Sequence, residues 1–456
     1  MGARLALETA AARLAGSLSR VVGRGGGTTL PGKILWKLDP GAIEALAGRL
    51  PEGSVFVSAT NGKTTTTAMA ARILGGARRL AWNSSGANLA SGVASTLLQA
   101  PHAELGLFEV DEFALPEMIR RVKPRVVVLG NLFRDQLDRY GELEHIAERW
   151  RKASSELDAG TALVVNGDDP LVADIADGRE AALRYGLDDP RVARPALQHA
   201  ADSKYCLRCG TPYAYAAAYV GHLGDYHCRA CGHGRPALDV IARDVESHGL
   251  EAISFLLSTP AGVERVRLPL PGLYNVYNAL AAASLCLTLG APLRDITSGL
   301  AGFQAAFGRF ERIEVQGKTL VLLLIKNPAG ANEAVRTLLE GGVPRTLMVA
   351  LNDAIADGRD VSWIWDVDFE PLLEGVERLV VSGDRAAELA LRFTYAGFSP
   401  ARLEVVPDLS AATDRALALV PAGGELAVLP TYTAMLRLRS VLATRGHVRP
   451  YWEAPA

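Results

Sequence analysis

The chain has 456 residues, enough for about two or three domains with separate cores, and its 49% hydrophobic and 21% charged residues describe an ordinary globular composition. A net charge of −2 gives no general electrostatic reason to expect a nucleic-acid partner. No run reaches membrane-spanning length, the N-terminus lacks the apolar core of a signal peptide, and Ala6 stands where a myristoylation signal wants Ser or Thr. Five cysteines, four of them in paired clusters, suit a reducing cytoplasm better than a disulfide framework.

Residues 1–22 carry Leu5, Leu14, Leu18 and Val21 among alanines and arginines, which predicts an amphipathic helix that packs on the body of the protein or, at most, touches a membrane surface. Gly25-Gly26-Gly27 ends it and Leu30-Pro31-Gly32-Lys33 follows. The glycine run beside Arg24 reads equally as a flexible linker or as an approach to a substrate phosphate. Next comes a short apolar strand, Val55 to Val57, and a helix from Ala68 to Leu74. Between them lies Thr60-Asn61-Gly62-Lys63-Thr64-Thr65, the closing half of a phosphate-binding loop. Gly62 lets backbone N–H groups approach a phosphate, the helix N-terminus adds partial positive charge, Lys63 is placed to reach terminal phosphates, and the Thr64 hydroxyl is a Mg²⁺ ligand type. Val57 occupies the place of the loop's usual first glycine. The bland alternative is a Thr-rich turn that binds nothing.

Strand and helix patterns then alternate, as in βαβ units of a mainly parallel sheet. Leu105–Phe108 ends at Glu109-Val110-Asp111-Glu112, Val126–Leu129 at Gly130-Asn131, and Ala162–Val165 at Asn166-Gly167-Asp168-Asp169-Pro170. Polar strand ends open on ligand crevices in such sheets, and Glu109 is the carboxylate an ATP site needs for Mg²⁺. From about Arg191 the pattern breaks. Cys206-Leu207-Arg208-Cys209 and Cys228-Arg229-Ala230-Cys231, with 18 residues between the inner cysteines, fit a zinc ribbon of four thiolates, a closed and therefore structural site. His227 and His233 are surplus to it, and Cys286 reads as a small buried side chain. Asn275 and Asn278, three apart at a helix start, cap it or touch a base or phosphate, and Arg309 is a candidate phosphate contact. A second α/β alternation follows in Leu320–Ile325, Thr346–Leu351, Arg378–Ser382 and Leu426–Leu429. It carries two polar loops, Lys326-Asn327-Pro328-Ala329-Gly330 and the acidic loop of Asp353, Asp357 and Asp360. Trp363 and Trp365 stand at alternate positions after the second, like a docking edge.

These motifs together resemble the Mur ligase family, which forms amide bonds on peptidoglycan precursors. Thr60 to Thr66 is similar to its nucleotide loop, with Ala59 in place of a glycine; Glu109 matches its magnesium-binding glutamate, and Asn131 to Gly141 its Asn…Asp-His-Leu-Asp segment with Gln136 at the histidine. Asn166 to Pro170 and Asn275 to Ala281 also match, the latter on the adenine side, and Arg309 falls on the ATP-contacting arginine. The resemblance implies an α/β fold: an N-terminal helical segment (1–50), a central P-loop ATPase domain (51–314) with a zinc ribbon inserted at about 201–236, and a C-terminal Rossmann-like α/β domain (315–456). Given about 50 residues before the loop, the resemblance implies a relative that lacks the family's uridine-nucleotide domain. With the ribbon, the Ala356–Asp366 segment and the closing Leu429–Leu436 stretch, this points to the amidating branch of the family. That branch implies ATP, Mg²⁺ and structural Zn²⁺, lipid II or a related lipid-linked precursor as substrate, and a separate GatD-type glutamine amidotransferase partner to supply ammonia. It implies no nucleic-acid partner and a cytoplasmic protein with at most peripheral contact at the inner face of the membrane. Relatives lend an aspartate to the partner's Cys–His pair; here Asp357 is the first choice, beside Asp353 and Asp360. The competing expectations are a Mur or folylpolyglutamate-type ligase that adds an amino acid, and a non-catalytic ATP-binding scaffold.

Overall fold

A computed structural model describes residues 30–84, 86–135, 143–198, 201–304 and 310–449. The expected amphipathic helix at 1–22, the glycine run at 25–27, Gln136 to Gly141 and Arg309 lie outside the described residues.

Strands β1 (Ser54–Ser58), β2 (Leu80–Trp82), β3 (Leu105–Glu109), β4 (Val126–Leu129), β5 (Ala162–Asn166) and β6 (Leu183–Leu187) are followed by a hairpin of β7 (Ala214–Val220) and β8 (Leu223–His227), and then by β9 (Val240–Ser247), β10 (Ile253–Thr259) and β11 (Gly262–Leu268). The first sheet runs β2-β3-β1-β4-β5-β6-β9-β10-β11. It is parallel as far as β9 and antiparallel over the last two pairings. Every residue of β1, β3 and β4 is buried, because helices cover both faces and side chains alternate between them. Val55 and Val57 face one core with Met69 and Leu280; Phe56 faces the other with Leu35, Val93 and Trp150. Fully burying each such side chain contributes about 1.5–3 kcal/mol.

The second sheet contains β12 (Phe310–Val315), β13 (Lys318–Leu323), β14 (Thr346–Ala350), β15 (Arg378–Ser382), β16 (Leu403–Val405) and β17 (Glu425–Pro430), in the order β12-β13-β17-β14-β15-β16. Its antiparallel β12–β13 hairpin turns through Gln316 and Gly317, both at positive φ, the conformation that a two-residue turn matched to strand twist requires. The α/β architecture expected from the sequence, a mainly parallel first sheet followed by a second α/β sheet, is borne out. One apolar core runs from the first sheet through the helix Leu273–Thr288 to the helix Pro328–Gly341 under the second sheet. The two sheets therefore meet along a shared seam.

One local expectation is corrected and two stretches gain detail. The helix after β1 begins at Lys63 rather than Ala68, its threonines accommodated by back-bonds such as Thr67 Oγ1 to the Lys63 carbonyl at 2.7 Å. Leu30–Leu38, for which the sequence reading gave no separate element, is a helix, with Gly32 N–H donating to Ser95 Oγ at 2.8 Å in a contact too close for any Cβ. Ser362–Asp366 is a 3₁₀ turn in which the two tryptophans diverge: Trp363 packs on the core and Trp365 is exposed.

Candidate functional site

β1 ends at Ser58, and the turn that follows is shaped from three sides. Asn131, after β4, grips Asn61 through both of its backbone groups: its Oδ1 accepts the Asn61 N–H at 2.9 Å and its Nδ2 donates to the Asn61 carbonyl at 3.0 Å. Phe133 N–H donates to Thr60 Oγ1 at 3.1 Å. Gly62 caps the helix Lys63–Leu74 at φ 90°, and a Cβ there would stand 1.9 Å from Asn278 Oδ1. Only glycine tolerates both conditions. Asn278 in turn donates to Asn275 Oδ1 at 3.0 Å, and Asn275 donates to the Pro271 carbonyl at 2.7 Å. The two asparagines thus share one side of the helix, as their spacing suggested, and Asn278 is the one that meets the loop.

Lys63 does not project outward. Its ammonium is bonded to the Ala59 carbonyl and lies 2.7 Å from Glu112 Oε2, both side chains being 7% exposed. Burial works to discharge it, but Glu112, Glu109 and Asp111 outweigh burial and hold its pKa above the ordinary lysine value. Glu109 pairs in register with Val57 of β1, which sets it one strand from the loop. Asn83 fixes its backbone through reciprocal 2.9 Å bonds, and Asn88 Nδ2 approaches its Oε1 at 3.4 Å. Gly86, two residues before Asn88, borders Thr64 Oγ1, so this segment flanks both the hydroxyl and the carboxylate expected to hold a cation. One hydroxyl and one buried carboxylate beside a phosphate loop suit Mg²⁺, which keeps water and substrate oxygens as its other ligands.

A cavity of about 110 Å³ opens at the seam, lined by Asn61, Gly62, Thr65, Asn275, Asn278 and Lys326 among others. The second sheet contributes directly to the loop. The Asn61 and Asn327 amides pair reciprocally at 3.0 and 3.2 Å, while Asn327 Oδ1 also accepts Gly330 N–H at 2.9 Å and so caps the helix Pro328–Gly341. Lys326 Nζ reaches Asp135 Oδ2 at 2.6 Å. Glu112, Asn83 and Asn327 carried no site role in the sequence reading. Asn327 had a legible signal, an Asn-Pro pair of the kind that caps helices, whereas Glu112 and Asn83 are brought in by strand order alone.

The Sγ atoms of Cys206, Cys209, Cys228 and Cys231 all lie within 4.8 Å of one another. Tetrahedral zinc at about 2.3 Å from each sulfur needs roughly 3.8 Å between them, so the set fits a closed metal centre. The two knuckles match. Gly210 N–H donates to the Cys206 carbonyl and Gly232 N–H to that of Cys228, with both glycines at positive φ. Hydrogen bonding to Thr211 leads the effects that pull the Cys209 thiol down to about 6. His233 Nδ1 is 2.7 Å from Tyr213 Oη beside the cluster, and His227 is exposed.

The three aspartates of the acidic loop are not equivalent. Asp357 is 5% exposed, its oxygens taken by Thr433 N–H at 2.8 Å and the Thr433 hydroxyl, and burial pushes its pKa up. Asp360 is exposed and accepts Ser362 N–H at 2.8 Å, and hydrogen bonding from the Ser362 side chain, followed by that N–H, lowers its pKa. Asp353 is half-exposed, 3.3 Å from Arg385. Beyond the loop, exposed Trp365 packs edge-on against exposed Tyr395, with ring centroids 5.7 Å apart.

Residues 57–226 match the Mur ligase middle domain and residues 324–435 match the MurT ligase C-terminal family. The chain is 33% identical to the lipid II isoglutaminyl synthase (glutamine-hydrolyzing) subunit MurT of Streptococcus pneumoniae, over 97% of this chain and 99% of that one. It is equally identical to the subunit of the same name from Staphylococcus aureus, over 84% and 86%. In fold it is similar to a pseudomurein peptide ligase type C from Methanothermus fervidus, with a TM-score of 0.67 at 21% identity over 88% of this chain and 80% of that one. With a full-length relative at this identity and both halves matched, the chain belongs to the MurT family of Mur-type ligases.

Proposed function

We propose that this chain is the synthetase subunit of a two-subunit amidating ligase in peptidoglycan biosynthesis. The α-carboxylate of D-glutamate in the lipid II stem peptide attacks the γ-phosphorus of ATP, releasing ADP and leaving an acyl phosphate. Ammonia adds to the acyl carbon and phosphate departs, giving D-isoglutamine. The observation that carries this reading is the match over 97% of the chain to a relative named for that reaction, and the site geometry supports it.

In this scheme the first sheet and its helices bind ATP, the insertion at about 201–236 is the zinc ribbon, and the second sheet, which begins with β12 at Phe310 rather than at 315, belongs to the MurT-type C-terminal domain. Thr60 and Asn61, whose N–H groups are taken by Asn131, shape the loop, the backbone N–H groups from Gly62 to Thr65 at the helix start receive the phosphates, and Asn275 and Asn278 border the base side. Arg309 is assigned a phosphate contact by family likeness alone. Thr64 and Glu109 would hold Mg²⁺, which supplies charge neutralisation at the transferred phosphoryl group. Lys63, kept charged by its three acidic neighbours, is the chain's own cation for the same charge. The Asn61–Asn327 pair ties loop geometry to the closure of the two sheets. Cys206, Cys209, Cys228 and Cys231 would hold Zn²⁺ in a structural role.

The chain has no thiol suited to glutamine hydrolysis. Four of its five cysteines form the cluster, and Cys286 is fully buried, its thiol pushed far above the ordinary range by that burial. Ammonia therefore comes from a separate GatD-type amidotransferase, for which the acidic loop and the Trp365–Tyr395 pair offer a docking face. Asp360 and Asp353 are presented for the partner's site, while Asp357 clasps the loop to Thr433. The reaction places the protein in the cytoplasm, at the inner face of the membrane where a lipid-linked substrate is met. The test is ADP release by the purified two-subunit complex. Release stimulated by lipid II together with glutamine supports the proposal, and release that requires a free amino acid instead would move the chain to the amino-acid-adding ligases.

A further inference from the structure

The segment Asn166-Gly167-Asp168-Asp169-Pro170 has no part in the chemistry above, yet both of its carboxylates are fully buried. Each faces two ways. Asp169 Oδ1 caps the helix Pro170–Ile175, whereas its Oδ2 accepts Leu132 N–H at 2.9 Å and lies 3.4 Å from Nε2 of His222, also fully buried. Asp168 accepts from Arg235 at 3.1 Å, from Leu187 N–H at 2.8 Å and from Tyr277 Oη at 2.7 Å, and its carbonyl accepts Gly224 N–H at 2.9 Å. His222 lies at the tip of the β7–β8 hairpin and Gly224 just past it in β8, and Arg235 follows the last cysteine of the cluster. Leu132 and Phe133 belong to the loop that shapes Thr60 and Asn61, and Tyr277 adjoins Asn278.

The hairpin tip therefore touches the loop's own support. The His222 ring packs on Phe133 with centroids 4.8 Å apart. Gly221 sits at φ 57°, where a Cβ would be 2.8 Å from the Phe133 ring. Val220 and Leu223 line the same cavity as Asn61, Gly62 and Asn278. From the other sheet, Arg336 donates to the Tyr219 carbonyl at 3.0 Å. The cysteine cluster closes the open end of this hairpin, since Cys206 and Cys209 precede β7 while Cys228 and Cys231 follow β8.

We infer that the ribbon is a positioning element of the nucleotide site: its hairpin tip, Val220 to Leu223, forms one wall of that site and is locked to the phosphate loop through the Asp168–Asp169 pair. His222 and Asp169 are positioning residues, and the metal acts on nucleotide affinity from a distance by holding the hairpin closed. This rests on the nucleotide reading of the cavity. The experiment is calorimetric titration of ADP with Mg²⁺ into the full chain in four forms: wild type, His222→Gln, Leu223→Ala, and wild type stripped with a chelator and then reloaded with Zn²⁺. Metal content and circular dichroism are recorded for each.

The two variants are expected to keep their metal and fold but bind ADP about tenfold more weakly, the effect of roughly one lost side-chain contact. The stripped protein is expected to weaken at least as much and to recover on reloading. Unchanged ADP affinity in folded, metal-loaded His222→Gln and Leu223→Ala, or in the stripped protein, would overturn the inference while leaving the nucleotide reading intact. A wild type that binds no ADP would overturn the nucleotide reading, and the inference with it.

Discussion

Replacing Lys63 by Met keeps most of the side chain's volume and removes its charge. In the native protein that charge sits 2.7 Å from Glu112, with each side chain 7% exposed, and Glu109 and Asp111 nearby are 3% and 6% exposed. Solvent is nearly excluded, so the loss is that of a broken buried pair, about 3–5 kcal/mol, rather than the 0–1 kcal/mol of a surface pair. By the scaling for large domains this is a fall of roughly 5–15 °C in Tm. Lys63 has a folded pKa above 10.5, so its stabilising contribution is complete through neutral pH and is lost only as pH rises above that value. The assay is denaturant unfolding of wild type, Lys63→Met, Glu112→Met and the double variant. The single variants are expected to lose stability heavily and the double variant to recover much of it, a coupling of at least about 2 kcal/mol. A Lys63→Met protein within about 1 kcal/mol of wild type would refute the reasoning, because the pair would then be behaving as solvated.

Asp168 gives a pH signature. Burial, opposed by Arg235, pushes its carboxyl up to about 6, so the folded chain holds that proton more tightly than the unfolded one, and stability from this site is lost as pH rises from about 4 to 6. Asp168→Asn is expected to remove up to about 3 kcal/mol of that pH dependence; a variant with the wild-type slope would contradict the assignment. Metal analysis of the purified chain should find one tightly held ion in all-sulfur coordination, absent from Cys209→Ser, and sulfur-free coordination would exclude the cluster. In the acidic loop, Asp357→Ala should cost about 1–3 kcal/mol by orphaning Thr433, whereas Asp360→Asn should lose glutamine-driven amidation and keep ammonium-driven amidation. If instead Asp357→Asn shows that split at unchanged stability, Asp357 is the residue presented to the partner.

Sequence alone carried the parts of this protein that depend on short-range chemistry. The apolar runs of β1, β3, β4 and β5 are buried on both faces and read as such, and the cysteine spacing required a knuckle pair. What escaped depends on partners far along the chain. Glu112 is 49 residues from Lys63, Asn327 is 266 residues from Asn61, and both meet their partners only through strand order. β11 alternates exposed and buried residues in a way that could have been read, but it lies beyond the break at Arg191, where the parallel pattern gives way to antiparallel pairing. The two tryptophans read together in the sequence part in the structure, because alternate positions of a 3₁₀ turn do not share one face, and only Trp365 is left exposed. The hairpin tip was invisible for a different reason: Gly221 and His222 look like turn residues until Phe133 and Asp169 are set against them.

The central claim is that this chain activates a carboxylate of lipid II for attack by ammonia. Incubating the chain with ATP, Mg²⁺, lipid II and isotopically labelled ammonium, and reading the product by mass spectrometry, tests it most directly. The expected result is one labelled nitrogen at the D-glutamate α-carboxyl, formed with ADP and phosphate, abolished in Lys63→Met/Glu112→Met, and driven by glutamine once the amidotransferase subunit is added. ATP consumed with no label in lipid II, or label only in an added amino acid product, would contradict it.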